Sequence, residues 1–363
     1  MKNIILHFRK LDWIFIISTL LLVGLGLLSI YSSSKGDFLN FKKQIIFLTI
    51  GFLLMVLFSF FDWRTLRETR FILFLYFLSI ISLIGLFFFA LEIRGAKSWY
   101  KVDLISIDPT EFIKIILIIL LAKYFSMRHI EMYRLRHILI SGVYILLPSM
   151  LIFYQPDLGS VLILISLWVG ILIISGIKLR QFLILVLFFL LIFILGWNFF
   201  LKDYQKERII SFFYPIEPLG VSWSQNQAKI AIGSGGIFGQ GIEKGSQTQH
   251  GFLPEPQTDF IFAAIAEEMG LIGVFILFAL FSILIWRTIK IAILTETNFS
   301  RLFASGFAIL LVSQAFINIG MNIGLLPIIG IPLPFISYGG SSLIANFLAL
   351  GILQNIKRST SIA

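Results

Sequence analysis

The chain has no cysteine. That absence excludes a disulfide framework, a thiolate nucleophile and any cysteine-based metal centre. Histidine is nearly as scarce. His7, His129, His137 and His250 show no ligand spacing, and three of them sit in basic segments, which reads as satisfied surface histidines. Charge is sparse too: 13% of residues are charged against 58% hydrophobic, a balance foreign to soluble domains. Nucleotide signatures are also missing. The run Gly233-Ser234-Gly235-Gly236-Ile237-Phe238-Gly239-Gln240-Gly241 places Phe238 where G-x-G-x-x-G needs its third glycine, and no GK[ST] follows. The run reads as a flexible turn, or as a place where backbone approaches a ligand closely.

What is present is long apolar sequence. Ten runs lie near 11–31, 44–62, 70–91, 111–126, 137–155, 158–177, 180–201, 259–286, 301–326 and 339–356. Most approach or exceed the roughly 18–20 residues that a spanning helix needs. Barrel strands are about 10 residues long and alternate in polarity, so a β-barrel does not fit. The expected fold is therefore all-α: one polytopic membrane domain over 1–363, with about ten spans and a large extracytoplasmic loop, 202–257, between spans seven and eight. The first run follows Lys2, Arg9 and Lys10 as a signal peptide would. It is too long and lacks an A-x-A-like cleavage site, so it reads as an uncleaved span. No period of 20–50 residues repeats.

The net charge of +10 does not mark a nucleic-acid binder, because the basic residues are spread over loops. Their distribution sets orientation instead. With the N-terminus inside, the inner loops hold most of them, from Lys2, Arg9 and Lys10 through Arg64, Arg67 and Arg70 to Lys357 and Arg358. The short outer loops hold Lys35, Lys42, Lys43, Arg94, Lys97 and Lys101. The positive-inside rule then places both termini in the cytoplasm and Asp259 outside.

Asp259 stands where the polar stretch Leu253-Pro254-Glu255-Pro256-Gln257-Thr258 meets an apolar run. A carboxylate at a bilayer edge is costly and by default a functional candidate. The plainer reading is a helix N-cap or first-turn residue, and the two are compatible. In Asp108-Pro109-Thr110-Glu111-Phe112-Ile113-Lys114, Pro109 and Thr110 mark a helix start, and the i,i+3 spacing puts Glu111 and Lys114 on one face. They form either a structural ion pair, with Lys114 snorkelling as a variant, or a holder for a lipid phosphate. Glu267 is roughly 80° from Asp259 around a straight helix and Glu268 nearly opposite, which favours interhelical hydrogen bonding over a paired-carboxylate site. Lys43, Arg94, Lys97 and Lys101, with Lys114, are candidates for an anion site facing Asp259. The uncharged Pro/Gly loop 327–342 points to a cavity, since non-helical backbone at membrane depth needs protein around it. Trp223 to Ile232 reads as a short helix on the membrane surface.

GAKSWY at 95–100, PTEFIK at 109–114, QPDLGS at 155–160, AIGSGGIFGQG at 231–241, LPEPQTDFIFA at 253–263 and GIPLPFISYGGSS at 330–342 together resemble the SEDS family of bacterial shape, elongation, division and sporulation proteins. The resemblance covers essentially the whole chain and is closer to the elongation branch than to the division branch. It implies a peptidoglycan glycosyltransferase that polymerises lipid II on the outer face of the cytoplasmic membrane. It puts the family's essential aspartate on Asp259, its glutamate and lysine on Glu111 and Lys114, a basic residue on Lys43 and the serine of P-F-I-S-Y-G-G on Ser337. Two departures stand out: Ser98 where G-A-x-R-W has arginine, leaving Lys97 or Arg94 to replace it, and Asp108 and Thr110 in place of Q-P-S-E.

The implied substrates are lipid II and the lipid-linked nascent glycan, and the implied partner is a class B penicillin-binding protein. Pyrophosphate chemistry admits a magnesium or manganese ion; no nucleotide or organic cofactor is expected. The rival functions are a lipid II flippase and a non-catalytic scaffold for a transpeptidase.

Overall fold

The computed structural model describes residues 7–360 apart from 8, 91–97, 103–104, 128–134, 200–205, 207–209 and 213–220. The ten predicted runs coincide with ten long helices: α1 Trp13–Ser32, α2 Leu39–Phe60, α3 Thr69–Phe89, α4 Pro109–Ser126, α5 Leu135–Tyr154, α6 Leu158–Ile174, α7 Leu179–Phe199, α10 Ile261–Leu294, α11 Asn298–Ile323 and α12 Gly340–Thr360. Two shorter ones lie between α7 and α10, α8 Val221–Gly235 and α9 Ser246–Gln249. Seven of the described helices, namely α1, α2, α3, α5, α7, α10 and α11, are long and apolar enough to cross a membrane.

Of the ten long helices, α4 and α12 are the most enclosed. Nearly every side chain of both is buried, because α4 packs on α3, α11 and α12, and α12 packs along α2. Protein rather than lipid surrounds their polar groups, which removes most of the cost of holding them at that depth. Glycines permit the closest of these contacts, as small residues do between helices in membranes. A methyl at Gly351 would fall 2.6 Å from the Met55 carbonyl oxygen of α2.

Helix ends follow local chemistry. Asp108 Oδ1 accepts from the Thr110 N–H at 2.8 Å ahead of Pro109; Asp157 Oδ1 accepts from the Ser160 N–H at 3.0 Å and starts α6. These are the expected caps, with proline at the first helical position. A two-stranded antiparallel hairpin, β1 Tyr100–Val102 and β2 Ile105–Ile107, precedes α4. The sequence reading had no strand there. Tyr100 fastens it to α3 by donating to the Ser82 carbonyl at 2.6 Å.

At the opposite end of the bundle, Asp12 caps α1 and receives Arg287 of α10 at 2.5 Å and Lys357 of α12 at 3.1 Å. Burial pushes the Asp12 carboxyl up, but these two cations outweigh it and hold the group below the usual carboxylate range. His7 and His137 are buried rather than surface groups. His7 stacks on Phe60 and bonds Ser59 Oγ at 2.9 Å, while His137 pairs with Tyr124 Oη at 3.0 Å. Apolar neighbours supply the burial, and the hydroxyls satisfy the rings.

Candidate functional site

The Asp259 loop is held by its main chain. Asn318 Nδ2 and Asn322 Nδ2, one turn apart on α11, donate to the Asp259 carbonyl at 3.1 and 3.0 Å. Asn322 Oδ1 accepts from the Ala263 N–H at 3.2 Å. Ser337 Oγ donates to the Thr258 carbonyl at 2.7 Å and accepts from the Leu333 N–H at 2.9 Å. The Tyr338 N–H donates to the Gln257 carbonyl at 2.8 Å, and Asn40 Nδ2 reaches Gln257 Oε1 at 2.7 Å. The Pro/Gly loop 327–339 is thus stitched to the Asp259 loop on one side. On the other it meets Gly159 at the start of α6, where a methyl would fall 2.9 Å from Ile331 Cγ1.

Asp259 itself is half-buried. Phe260 occupies the N-cap position of α10 and makes no side-chain cap bond, so Asp259 lies one residue ahead of the cap. A methyl placed at Gly330 would lie 3.6 Å from Asp259 Oδ2, and Gly330 has φ +78. A larger residue there would be strained and would crowd the carboxylate.

Glu111 and Lys114 pair at 2.8 Å with side chains 8% and 3% exposed. The i,i+3 spacing does bring the two charges together on one face of α4. α4 reaches the same end of the bundle as Asp259 because the Asp108 N–H donates to Ser341 Oγ at 2.8 Å, just beyond the Ser337 loop. Asp108 is pushed up to about 7, first by burial and then by Glu111, against the lowering effect of its Thr110 hydrogen bond and of Lys114.

Glu267 and Glu268 are buried at 0% and 2% exposure, and both serve architecture. Glu267 accepts from the N–H groups of Gln247 and Thr248 at 2.6 and 3.0 Å and from Thr248 Oγ1 at 2.6 Å, capping α9. Glu268 accepts from Ser32 Oγ of α1. The straight helix assumed for 259–286 is not found. Gly270 breaks α10 with φ 65 and ψ −161.

The glycine run fills that break. Gln240 and Gly241 N–H groups donate to the Glu267 and Glu268 carbonyls at 2.9 and 3.0 Å, while Leu271 and Ile272 donate to Gly236 and Ile237 at 2.9 and 3.2 Å. Close backbone approach is therefore the right reading of the run, with the chain itself as the neighbour. α8, the short helix expected over 223–232, packs Ala228 and Ala231 against Leu253, Phe260, Ala263 and Ala264. It also ties to the end of α11 through Gln225 Nε2, which donates to the Met321 and Leu326 carbonyls at 3.1 and 2.8 Å.

Lys43 is half-buried in the first turns of α2. Its neighbour Gln44 bonds the Ser337 carbonyl at 3.2 Å and accepts from the Gly339 N–H at 3.3 Å. Arg94 and Lys97 lie outside the described residues. Ser98, in the place of the family arginine, is buried. Sequence reasoning missed Gln44, Asn318 and Asn322, although amides on apolar helices are a usable signal. Among the described residues no group of three or more histidines and acids is placed to hold a metal.

A protein-family model described as Cell cycle protein, FTSW_RODA_SPOVE, matches residues 11–362. Peptidoglycan glycosyltransferase MrdB of Escherichia coli (strain K12) is 39% identical over 264 residues, spanning 72% of this chain and 71% of the relative. The protein of that name from Helicobacter pylori (strain ATCC 700392 / 26695) is 36% identical over 363 residues, spanning 98% and 91%. A solved structure described under "Structural coordination of polymerization and crosslinking by a peptidoglycan synthase complex" superposes with a TM-score of 0.83 at 30% identity, covering 96% of this chain and 98% of the other.

Proposed function

We propose how this chain, which belongs to the FTSW_RODA_SPOVE family of cell cycle proteins, works as a peptidoglycan glycosyltransferase of cell elongation. The growing strand, linked to a polyprenyl pyrophosphate, is the donor, and the 4-hydroxyl of the GlcNAc of lipid II is the acceptor. Asp259 is the general base. It takes the hydroxyl proton as the oxygen attacks the anomeric carbon of the donor; the bond to pyrophosphate breaks, and the centre inverts to a β-linkage. A sugar hydroxyl is a weak nucleophile at neutral pH, and a positioned base is typically worth about 10²–10⁴-fold.

The observation that carries this reading is the fixation of Asp259. Its main chain is held by amides of α11 and its neighbour's carbonyl by Ser337, while its carboxylate is half-buried beside a glycine. Rigid support of a reachable base is what proximity catalysis requires. Lys114, oriented by Glu111, and Lys43 stabilise the leaving pyrophosphate, with Lys97 and Arg94 as further cations on that side. A magnesium or manganese ion would be held largely by the pyrophosphate oxygens, with one or two carboxylates sufficing on the protein side.

The site faces the outside of the cytoplasmic membrane and both termini lie within, following the distribution of basic loops. The nascent glycan passes to a class B penicillin-binding protein for crosslinking. The test is gel analysis of lipid II polymerisation by purified protein with a cognate transpeptidase. Asp259→Asn should lose at least about 10²-fold in rate with its melting profile unchanged. Wild-type polymerisation by that variant would remove Asp259 from the chemistry.

A further inference from the structure

The tip of the glycine turn carries two large apolar side chains that the proposed chemistry leaves unused. Phe238 is 81% exposed and Ile237 is 61% exposed. Their height is set by hydrogen bonds. The Gly236 and Ile237 carbonyls accept from Leu271 and Ile272, the first residues after the break in α10. From there α10 is lipid-facing: Leu271 is 61% and Phe275 71% exposed. The apolar part of that segment, Leu271 to Trp286 ahead of Arg287, rises roughly 24 Å at 1.5 Å per residue, short of a hydrocarbon core about 30 Å thick, so the core reaches up to the break. The exposed tip is therefore level with the outermost part of that core and continuous with its lipid-facing surface.

The backbone of the turn also suits hydrocarbon. Gly239, Gln240 and Gly241 donate to Gly235, Glu267 and Glu268, and the Gly236 and Ile237 carbonyls are occupied as above. Backbone groups at membrane depth must be satisfied internally. A turn lying in water would have no need of this.

We propose that the turn from Gly236 to Gly241 is a re-entrant element. Its tip, Ile237 and Phe238, is immersed among the lipid acyl chains of the leaflet bordering the site. Through the hydrogen bonds across the α10 break, it fixes the height above that leaflet at which the half-helix 261–269 holds Asp259. A substrate anchored by a lipid tail presents its pyrophosphate at one level, so the base must be held at a matching one.

Because the chain has no cysteine, Phe238→Cys carries a unique thiol for a nitroxide label. The full chain is placed in nanodiscs of phosphatidylcholine and phosphatidylglycerol, and label relaxation is measured with oxygen and with a water-soluble nickel chelate. Phe275→Cys serves as the lipid reference and Lys244→Cys as the water reference; Ile237→Cys replaces Phe238→Cys if that variant does not fold. Oxygen-dominated relaxation matching Phe275→Cys is expected. Chelate-dominated relaxation, or occlusion from both agents, overturns the proposal. This readout does not depend on Asp259 being the base.

The height role rests on that reading and is tested separately. Phe238→Asp should lower lipid II polymerisation several-fold in bilayers and leave it at the wild-type rate in detergent, where no leaflet sets a height. An equal loss in both media, or a loss in neither, overturns that role.

Discussion

The two halves of α10 share one apolar composition and live in different surroundings. From Ile261 to Glu268 every residue is buried; beyond Gly270 only Gly273, Leu277, Phe281, Leu284, Thr288 and Ile291 to Ala292 are. The first half is enclosed by α8, the glycine turn and α11; the second packs one stripe on protein and shows the rest to lipid. Hydropathy measures what a residue prefers to leave, which is water, and both protein and lipid satisfy it. What separates the halves is the polar content they tolerate. Two buried carboxylates and a broken main chain sit in the first half or at its end, where protein donors answer them.

Removing those answers should have the largest effect. Glu267→Ala removes the acceptor of the part-buried Gln247 N–H and of the buried Thr248 N–H and hydroxyl, and each buried unsatisfied group costs about 1–3 kcal/mol. We expect a clearly lower melting temperature in detergent and loss of polymerisation together, since the loop leading to Asp259 starts at α9. Next comes Gly239→Ala. Gly239 has φ +80, and its methyl would meet the Glu268 carbonyl and lie 2.7 Å from the Gly270 nitrogen. Overpacking of this kind costs about 1–3 kcal/mol, read as a drop in melting temperature.

A smaller effect is expected at the head of α4, the other enclosed polar helix. Asp108 is raised to about 7 by burial and then by Glu111. Its charged form is therefore disfavoured on folding. The native state loses stability as pH climbs from the unfolded carboxylate value near ~3.9 to about 7, and changes no further above it. Asp108→Asn should flatten this slope, so wild type should melt lower relative to the variant at pH 8 than at pH 5. An unchanged difference would show that Asp108 ionises normally. The smallest effect belongs to the lipid-facing half: Phe275→Ala should move stability by no more than about 0.5 kcal/mol, the usual range for surface changes. A larger shift would mean that α10 is covered there.

The same contrast explains what the sequence could disclose. Helix positions were legible because apolar length survives whatever surrounds it, and the start of α4 because Pro109 and Thr110 are local signals, whereas the capping role of Asp108 needed the fold. The break at Gly270 was not. A glycine inside a helical pattern reads as tolerated, and the groups that repair the break are main-chain atoms of residues 236–241, whose bonding leaves no mark in side-chain identity. For Glu267 and Glu268 the role was legible as hydrogen bonding, while the acceptors' partners on α9 and α1 needed the fold. Asn318 and Asn322 were overlooked because amides carry no charge to count, though their i,i+4 spacing on an apolar helix signals a shared task. The histidines were misjudged because basic neighbours in sequence do not fix exposure in space.

The salt-bridged end of the bundle bears on how the chain is made. Asp12 needs Arg287, Lys357 and the Gln354 side chain, which accepts its N–H at 2.8 Å, and His7 needs Arg358 at 2.5 Å. α1 therefore completes these contacts only once α12 is in place. Until α12 is inserted, the Asp12 carboxylate has Arg287 of α10 but lacks Lys357 and Gln354, so a chain halted before Gln354 should be recognisable to quality-control proteases as unfinished, however many of its other helices are already in the membrane.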